Sequence, residues 1–244
     1  MKAIPLTARL LLCSLLGASF STHANADILA GYAFDSGSVS STDSEVLSTA
    51  GTFGAGSGIA PNYAASNWAR VSSDQTGTGN GDNSIGVAIG ANEFHSFTLT
   101  PQTGNVLNLS SLTFDAAFYG GASGFNASFA LRSSVDSFAS TIGSIFVAPA
   151  QNTSTPTFGS HSIDLSGVVF QGLSSSIEFR IYIFDNTSGN GRYLGLDNVV
   201  LNGSLSAVPE PSTYAALSGG VIGLFVALRR KKPQASAPLR TAQK

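Results

Sequence analysis

Chemistry at a protein site begins with titratable or nucleophilic side chains. Past residue 26 this sequence holds two histidines, His95 and His161, and no cysteine. No serine stands in a Gly-x-Ser-x-Gly frame, and no histidine pair has the spacing of metal ligands. His95 falls in the alternating segment FHSFTLT, residues 94–100, where a structural polar residue is the expected role. Glycoside hydrolysis needs two facing carboxylates. Glu45, Glu93, Glu178 and ten aspartates supply candidates, but no spacing selects a pair. The loop GTGNGDN, residues 77–83, lacks the Gly-x-Gly-x-x-Gly frame and a following helix signal, so it reads as a turn and not a phosphate cradle.

The elements that would have to position such groups read as β throughout. In LTFDAAFY, residues 112–119, alternation puts Leu112, Phe114, Ala116 and Phe118 on one face and Thr113, Asp115 and Tyr119 on the other. FNASFALR repeats the pattern through Phe125, Ala127, Phe129 and Leu131. IEFRIYIF does so through Ile177, Phe179, Ile181 and Ile183, with Glu178 and Arg180 opposite. Further predicted strands are ILAGYAF from Ile28, SIGVAIG from Ser84, FHSFTLT from Phe94, GSIFVA from Gly143 and YLGLDNVVL from Tyr193. Gly, Ser, Asn and Asp clusters separate them and supply turn chemistry. No fixed repeat calls for a β-helix, and the sixteen phenylalanines argue against disorder. The fold class is therefore all-β, a jelly-roll-like β-sandwich over residues 27–207. The polar, Gly-rich stretch from Ser36 to Asn67 reads as a mobile loop.

Charge divides the chain. Between Asp27 and Glu210 lie all fourteen acidic residues against four arginines, Arg70, Arg132, Arg180 and Arg192, which leaves that segment a formal charge of −10. It contains no lysine, so a nucleic-acid partner is excluded on electrostatic grounds. The other basic residues sit at the ends. Lys2 and Arg9 precede the apolar run LLLCSLLGASF, and Ala24-Asn25-Ala26 fits the small-x-small rule of signal peptidase, so residues 1–26 read as a signal peptide and Asp27 as the mature N-terminus. Cys13 does not mark a lipoprotein, because the bulky Leu12 precedes it. The mature chain then has no cysteine and no disulfide, although an exported protein lives where disulfides persist.

At the other end Ser212 to Leu228 is a run of 17 uncharged residues, at the lower limit of the roughly 17–25 that cross a bilayer as a helix. Arg229, Arg230, Lys231 and Lys232 follow, and the positive-inside rule keeps them cytoplasmic. The acidic body is then outside, as the signal peptide also requires. Pro209 and Pro211 keep the approach to the helix extended, the form a processing enzyme can grip.

Val208-Pro209-Glu210-Pro211-Ser212, a short apolar helix and a basic cluster, together residues 208–232, resemble the PEP-CTERM sorting signal of Gram-negative bacteria. The resemblance implies an inner-membrane precursor with its body in the periplasm. An exosortase-type membrane enzyme then removes the tail and releases the protein to the cell surface or into extracellular polysaccharide. The same tail is also labelled an ice-binding protein C-terminal domain, a name that says nothing of this body. Residues 233–244 would form a cytoplasmic extension longer than most such tails carry.

In calcium-containing jelly rolls that this outline resembles, carbohydrate-binding modules among them, carboxylates of the two terminal strands often hold the metal. Asp35, after the first strand, and Asp197, in the last, occupy those places, with backbone carbonyls and water to complete the six to eight oxygens that calcium takes. No cofactor is required; a structural calcium ion is the one ligand these carboxylates would suit, with turn or edge hydrogen bonds at Asp197-Asn198 the bland reading of the same residues. Trp68, Tyr63, Tyr182 and Tyr193 are the aromatics that could stack on sugar rings, or pack in core or edge. With no recognisable acid–base set, the body reads as a non-enzymatic surface or matrix protein associated with exopolysaccharide. The competing readings are an exported hydrolase acting on that polysaccharide and a carbohydrate-binding adhesion module.

Overall fold

Alternating apolar residues make a strand only where the backbone finds a partner strand to pair with, and eleven segments of this chain do so. They are β1 (Asp27–Tyr32), β2 (Ser48–Ala50), β3 (Gly54–Ala55), β4 (Ala69–Ser72), β5 (Phe94–Pro101), β6 (Asn105–Tyr119), β7 (Asn126–Ser133), β8 (Ile142–Gln151), β9 (Gly159–Asp164), β10 (Ile177–Asp185) and β11 (Tyr193–Ala207). The computed structural model describes residues 27–64, 67–73, 84–121, 124–186 and 191–208. The predicted signal peptide, the loop 77–83 and the tail beyond Val208 lie outside the described residues.

The strands form two sheets. In the first, β11 runs antiparallel to β6 along its whole length. Its other edge is divided, with Tyr193–Leu196 taken by β4 and Val199–Gly203 by β1. The division falls at a bulge between Asp197 and Val200, where Asn198 sits at φ 46°. β9 covers the far edge of β6. The second sheet runs β2, β5, β10, β7, β8, with β3 also on β5. At its end β8 changes sheets: Ala150 and Gln151 pair in parallel with Phe118 and Tyr119, joining the two.

The inward faces of both sheets form one core. Phe97, Phe129, Phe179, Ile181 and Ile183 from the second meet Leu29, Leu112, Phe114, Phe118, Leu196 and Leu201 from the first. Contacts across the sandwich include Tyr32 on Phe97, with ring centroids 5.3 Å apart, and Phe114 on Phe129 at 6.3 Å. Each such side chain, removed from water, contributes about 1.5–3 kcal/mol before entropy is counted. The alternation expected in 112–119, 125–132 and 177–184 is the one observed. His95 shares the inward face of β5 with Phe97 and Leu99 and stacks on Phe53 at 5.5 Å.

Two expectations fail. SIGVAIG is not a strand but helix α1 (Ile85–Ala91). Ser84 caps it, its side chain accepting from the Gly86 amide, and Asn92 ends it in the left-handed region. Ile85, Ala88 and Ile89 recur at helical spacing and cover Ala130, Tyr182 and Phe184 on the outside of the second sheet. That outer face is apolar and needs a lid, and a helix fits the short run because its apolar residues recur at i, i+3 and i+4. Nor is 36–67 a bare loop: it carries β2 and β3, and it buries Phe53 and Ile59.

Candidate functional site

On the outer face of the first sheet the even-numbered core positions give way to odd-numbered ones. Tyr119, Ala117 and Asp115 of β6 stand opposite Tyr193, Gly195 and Asp197 of β11, and Arg70 of β4 stands opposite Gly195. Small residues at 117 and 195 leave a floor over which aromatic rings can lie. Trp68, just before β4, and Phe158, just before β9, do so, their rings 5.5 Å apart and edge-on at 73°. Gly195 lets them sit close: a Cβ would come within 3.1 Å of the Phe158 ring and 3.2 Å of Trp68, so either ring would have to shift by a few tenths of an ångström.

Beside this pair lies a cleft of about 540 Å³ lined by Arg70, Tyr119, Tyr193, Gly120, Gly191 and the loop Asn152-Thr153-Ser154. Tyr193 is half-buried, and the Arg70 guanidinium lies 4.8 Å from its ring centroid. Tyr119 is buried beneath, 5.6 Å from Tyr193, and accepts a hydrogen bond from the Trp68 indole at 3.2 Å. Burial pushes the Tyr119 hydroxyl up, while hydrogen bonds from Trp68 and Arg70 oppose the shift. The lining holds one cation and no carboxylate. Its chemistry is a half-exposed ring rimmed by amide, hydroxyl and guanidinium groups, which suits recognition of a polar, flat-faced ligand.

The structure brings the two predicted metal ligands into one electrostatic neighbourhood and adds a third carboxylate that the sequence did not point to. Asp197 is half-buried; burial holds its carboxyl above the usual range, the Asn198 amide opposes, and Asp115 and Asp35 push it further up. Asp115 accepts hydrogen bonds from Ser160 and, at 2.9 Å, from the Asn198 side chain. The Asn198 amide donates to Asp197 Oδ1 at 2.8 Å. Edge hydrogen bonds of the kind expected for Asp197-Asn198 are therefore present. Among the described residues no group of three or more His, Cys, Asp or Glu side chains is arranged to hold a metal ion. Asp115 and Asp197 are neighbours in the plane of a sheet and do not face each other across a cleft.

Of the four aromatics proposed for sugar stacking, Tyr193 lines the cleft, and Trp68 lies beside it, edge-on to Tyr119 at 6.3 Å. Tyr182 is buried against Phe94, 5.2 Å away. Tyr63 stacks on Phe34 at 5.7 Å, and burial pushes its hydroxyl to about 12. Arg70, Tyr119 and the 152–154 loop are site residues that sequence reasoning missed. Alternation alone puts Tyr119 outward, but nothing local pairs it with Tyr193.

The body is thus a β-sandwich of two bridged sheets. Residues 207–231 match the PEP-CTERM protein-sorting motif, so the chain carries the sorting signal of an exported protein handled at the membrane. The matched residues begin one position before the sequence reading placed them. Of that signal only Ala207 and Val208 are among the described residues; Pro209, Glu210, Pro211, Ser212 and the basic cluster 229–232 lie outside, as do Ala24 and Ala26. No helix among the described residues is long and apolar enough to cross a membrane, and the predicted helix at 212–228 falls beyond them. No curated protein matches the sequence.

Among solved structures the chain is similar to the N-terminal cellulose-binding domain of β-1,4-glucanase C from Cellulomonas fimi, with 10% identity over 66% of this chain and 90% of that one and a TM-score of 0.32. It is similar to a carbohydrate-binding module specific for non-crystalline cellulose, with 11% identity over 43% and 66% and a TM-score of 0.27. It is also similar to the K1 cleaved adhesin domain of Lys-gingipain from Porphyromonas gingivalis W83, with 14% identity over 73% and 98% and a TM-score of 0.31. Scores this low carry no functional weight.

Proposed function

We propose that the protein is a non-enzymatic component of the cell surface or extracellular matrix. Its tail holds it at the inner membrane and is then removed by an exosortase-type enzyme, and the body contacts extracellular polysaccharide. The observation that carries the reading is the sorting motif at 207–231 on a body of formal charge −9 without lysine. The cleft at Tyr193 supports the polysaccharide contact, because a half-exposed ring offers an apolar face to a pyranose while Arg70 and the 152–154 loop offer groups for its hydroxyls. Its lack of a carboxylate supports binding without hydrolysis.

The test compares the parent with a Pro209→Ala/Glu210→Ala/Pro211→Ala variant in the native host. The parent should leave the cell without residues beyond about Pro211, as expected where an extended Pro-rich segment is cleaved, and the variant should accumulate full length in the inner membrane. If both stay membrane-bound with Lys244 intact, the tail is only an anchor. The polysaccharide contact is tested separately with Tyr193→Ala, which should be released from isolated matrix at lower salt or sugar concentration than the parent.

A further inference from the structure

The strand ends at one pole of the sandwich are tied to the point where the tail leaves. The Val208 amide donates to the Gly104 carbonyl at 2.8 Å, in the turn between β5 and β6. From that turn Gln102 donates its backbone amide to Leu47 and its side chain to Val46. Leu107 and Leu173 bridge at the same end, and Thr100 donates to Ser176 at 3.0 Å. Val135 lies in one cleft with Leu173 and in another with Val169 and Phe170. Val46, Leu47, Val135, Val168, Val169 and Val208 thus gather at this pole, and all six are exposed; Val168 is 85% exposed and Val46 73%. Only three other large apolar side chains of the described residues are comparably exposed, Ile28, Ile145 and Val147. Isolated exposed valines need no explanation, but such a gathering at one end does.

The distance from this pole to the apolar segment is short. Three residues, Pro209, Glu210 and Pro211, separate Val208 from Ser212, so the four chain steps reach at most about 14 Å when fully extended. Seventeen residues at 1.5 Å each cover less than the roughly 30 Å hydrocarbon core, so a membrane-held segment has no slack to offer. The charge at the pole decides what kind of surface it can meet. Glu45 precedes Val46 and Asp136 follows Val135; Arg132 gives its guanidinium hydrogen bonds to the carbonyls of Phe138 and Ala139. An acidic rim without lysine is repelled by anionic headgroups, leaving apolar contact with neutral lipid.

We propose that this pole, with Val168 and Val169 at its most exposed point, is a lipid-facing surface on which the precursor rests against the outer leaflet of the inner membrane until its tail is cut. The proposal rests on the reading that the tail is held in the membrane, and the test separates the two. The chain from Asp27 to Lys244, which holds no cysteine, receives a single dye-labelled cysteine, by Val168→Cys at this pole or Ser154→Cys at the cleft, and is reconstituted into phosphatidylcholine vesicles with nitroxide lipid near the headgroup. The chain should float with the vesicles, the dye at 168 should be quenched and that at 154 should not, and quenching at 168 should weaken in phosphatidylglycerol vesicles. A chain that does not float refutes the membrane-held tail and takes the proposal with it. A chain that floats with equal signals at 168 and 154 overturns the proposal alone, as does stronger quenching on anionic lipid. Shielding at 168 that appears only when the processing enzyme is present, without lipid quenching, assigns the pole to a protein partner instead and overturns it too.

Discussion

His95 lies inside the sandwich, 1% exposed, its ring stacked on Phe53 and hydrogen-bonded to the Gly54 backbone. Its Nδ1 has no hydrogen-bond partner among the described residues. Burial, only partly opposed by the Gly54 hydrogen bond, lowers its pKa from 6.5 to about 3. The folded protein therefore keeps the imidazole neutral at any pH above about 3, whereas the unfolded chain protonates it below about 6.5. Above 6.5 the residue is neutral in both states and stability does not depend on its titration. As pH falls from there, the unfolded state gains a proton that the folded state refuses, and stability declines until the folded pKa is reached. Well below 6.5 each pH unit is a factor of ten in the folding equilibrium, and with the unfolded histidine already half protonated at pH 6.5 the step to 4.5 costs about 2 kcal/mol, a large share of the roughly 5–15 kcal/mol that holds a domain together. His95→Phe keeps a ring on Phe53 and removes the titration. Urea unfolding followed by the fluorescence of Trp68, the one tryptophan, measures both proteins at the two pH values. The variant leaves the Gly54 carbonyl without its donor, so its stability at pH 6.5 will be lower, but it should lose about 2 kcal/mol less than the parent on going to pH 4.5. Equal losses in the two proteins would refute the argument that His95 is held neutral in the core.

Three further outcomes follow from the sequence and the fold. Mass spectrometry of the secreted form should find Asp27 at its N-terminus, and a start upstream of Ala24 would reject the cleavage site. If Asp35 and Asp197 share a calcium ion, excess chelator lowers the melting temperature, because a ligand bound only by the native state stabilises it. An unchanged melting curve, or an Asp197→Ala protein as stable as the parent, ends the calcium proposal. Gly203→Ala places a Cβ 2.5 Å from the Asn108 carbonyl oxygen and 2.8 Å from Leu29 Cδ1, at a bulge between β11 and β6. Backbone cannot yield there as a flexible side chain would, so the urea midpoint should fall by the equivalent of about 1–3 kcal/mol, and an unchanged midpoint would contradict the register at 203.

Much of the molecule is legible in one dimension. Ile177, Phe179, Ile181 and Ile183 announce an inward face, and the observed core uses all four. The segregation of charge, with no lysine in the body, and the order Pro-Glu-Pro, apolar run, basic cluster are properties of the string itself. They are read without any fold, and the sorting motif matches there. What fails does so where a short apolar run is compatible with two periods. SIGVAIG became a helix because the outer face of the second sheet, with Ala130, Tyr182 and Phe184, needed covering. The same cover explains why Tyr182, which alternation puts outward, is buried and cannot meet a sugar.

The candidate site belongs to tertiary structure almost entirely. Tyr119 and Tyr193 are opposite partners across β6 and β11, and Asp115 and Asp197 pair four rungs of the ladder away, though neither pair is close in sequence. The division of β11 between β4 and β1 delivers Arg70 to Tyr193 and ends at the bulge that turns Asn198 toward Asp115. The apolar pole likewise exists only because the β5–β6 turn, the residues before β2, and the loops after β7 and β9 end on the same side as Val208. By itself the sequence determined the period of the long strands at 112–119, 125–132 and 177–184, the faces they would bury and the address at the chain's end, because each of these is set by residues near one another. Register and strand order decided the cleft, the carboxylate cluster and the pole, because a site made of long-range neighbours is specified by pairing, and local alternation is the same for every pairing that keeps the apolar face inside.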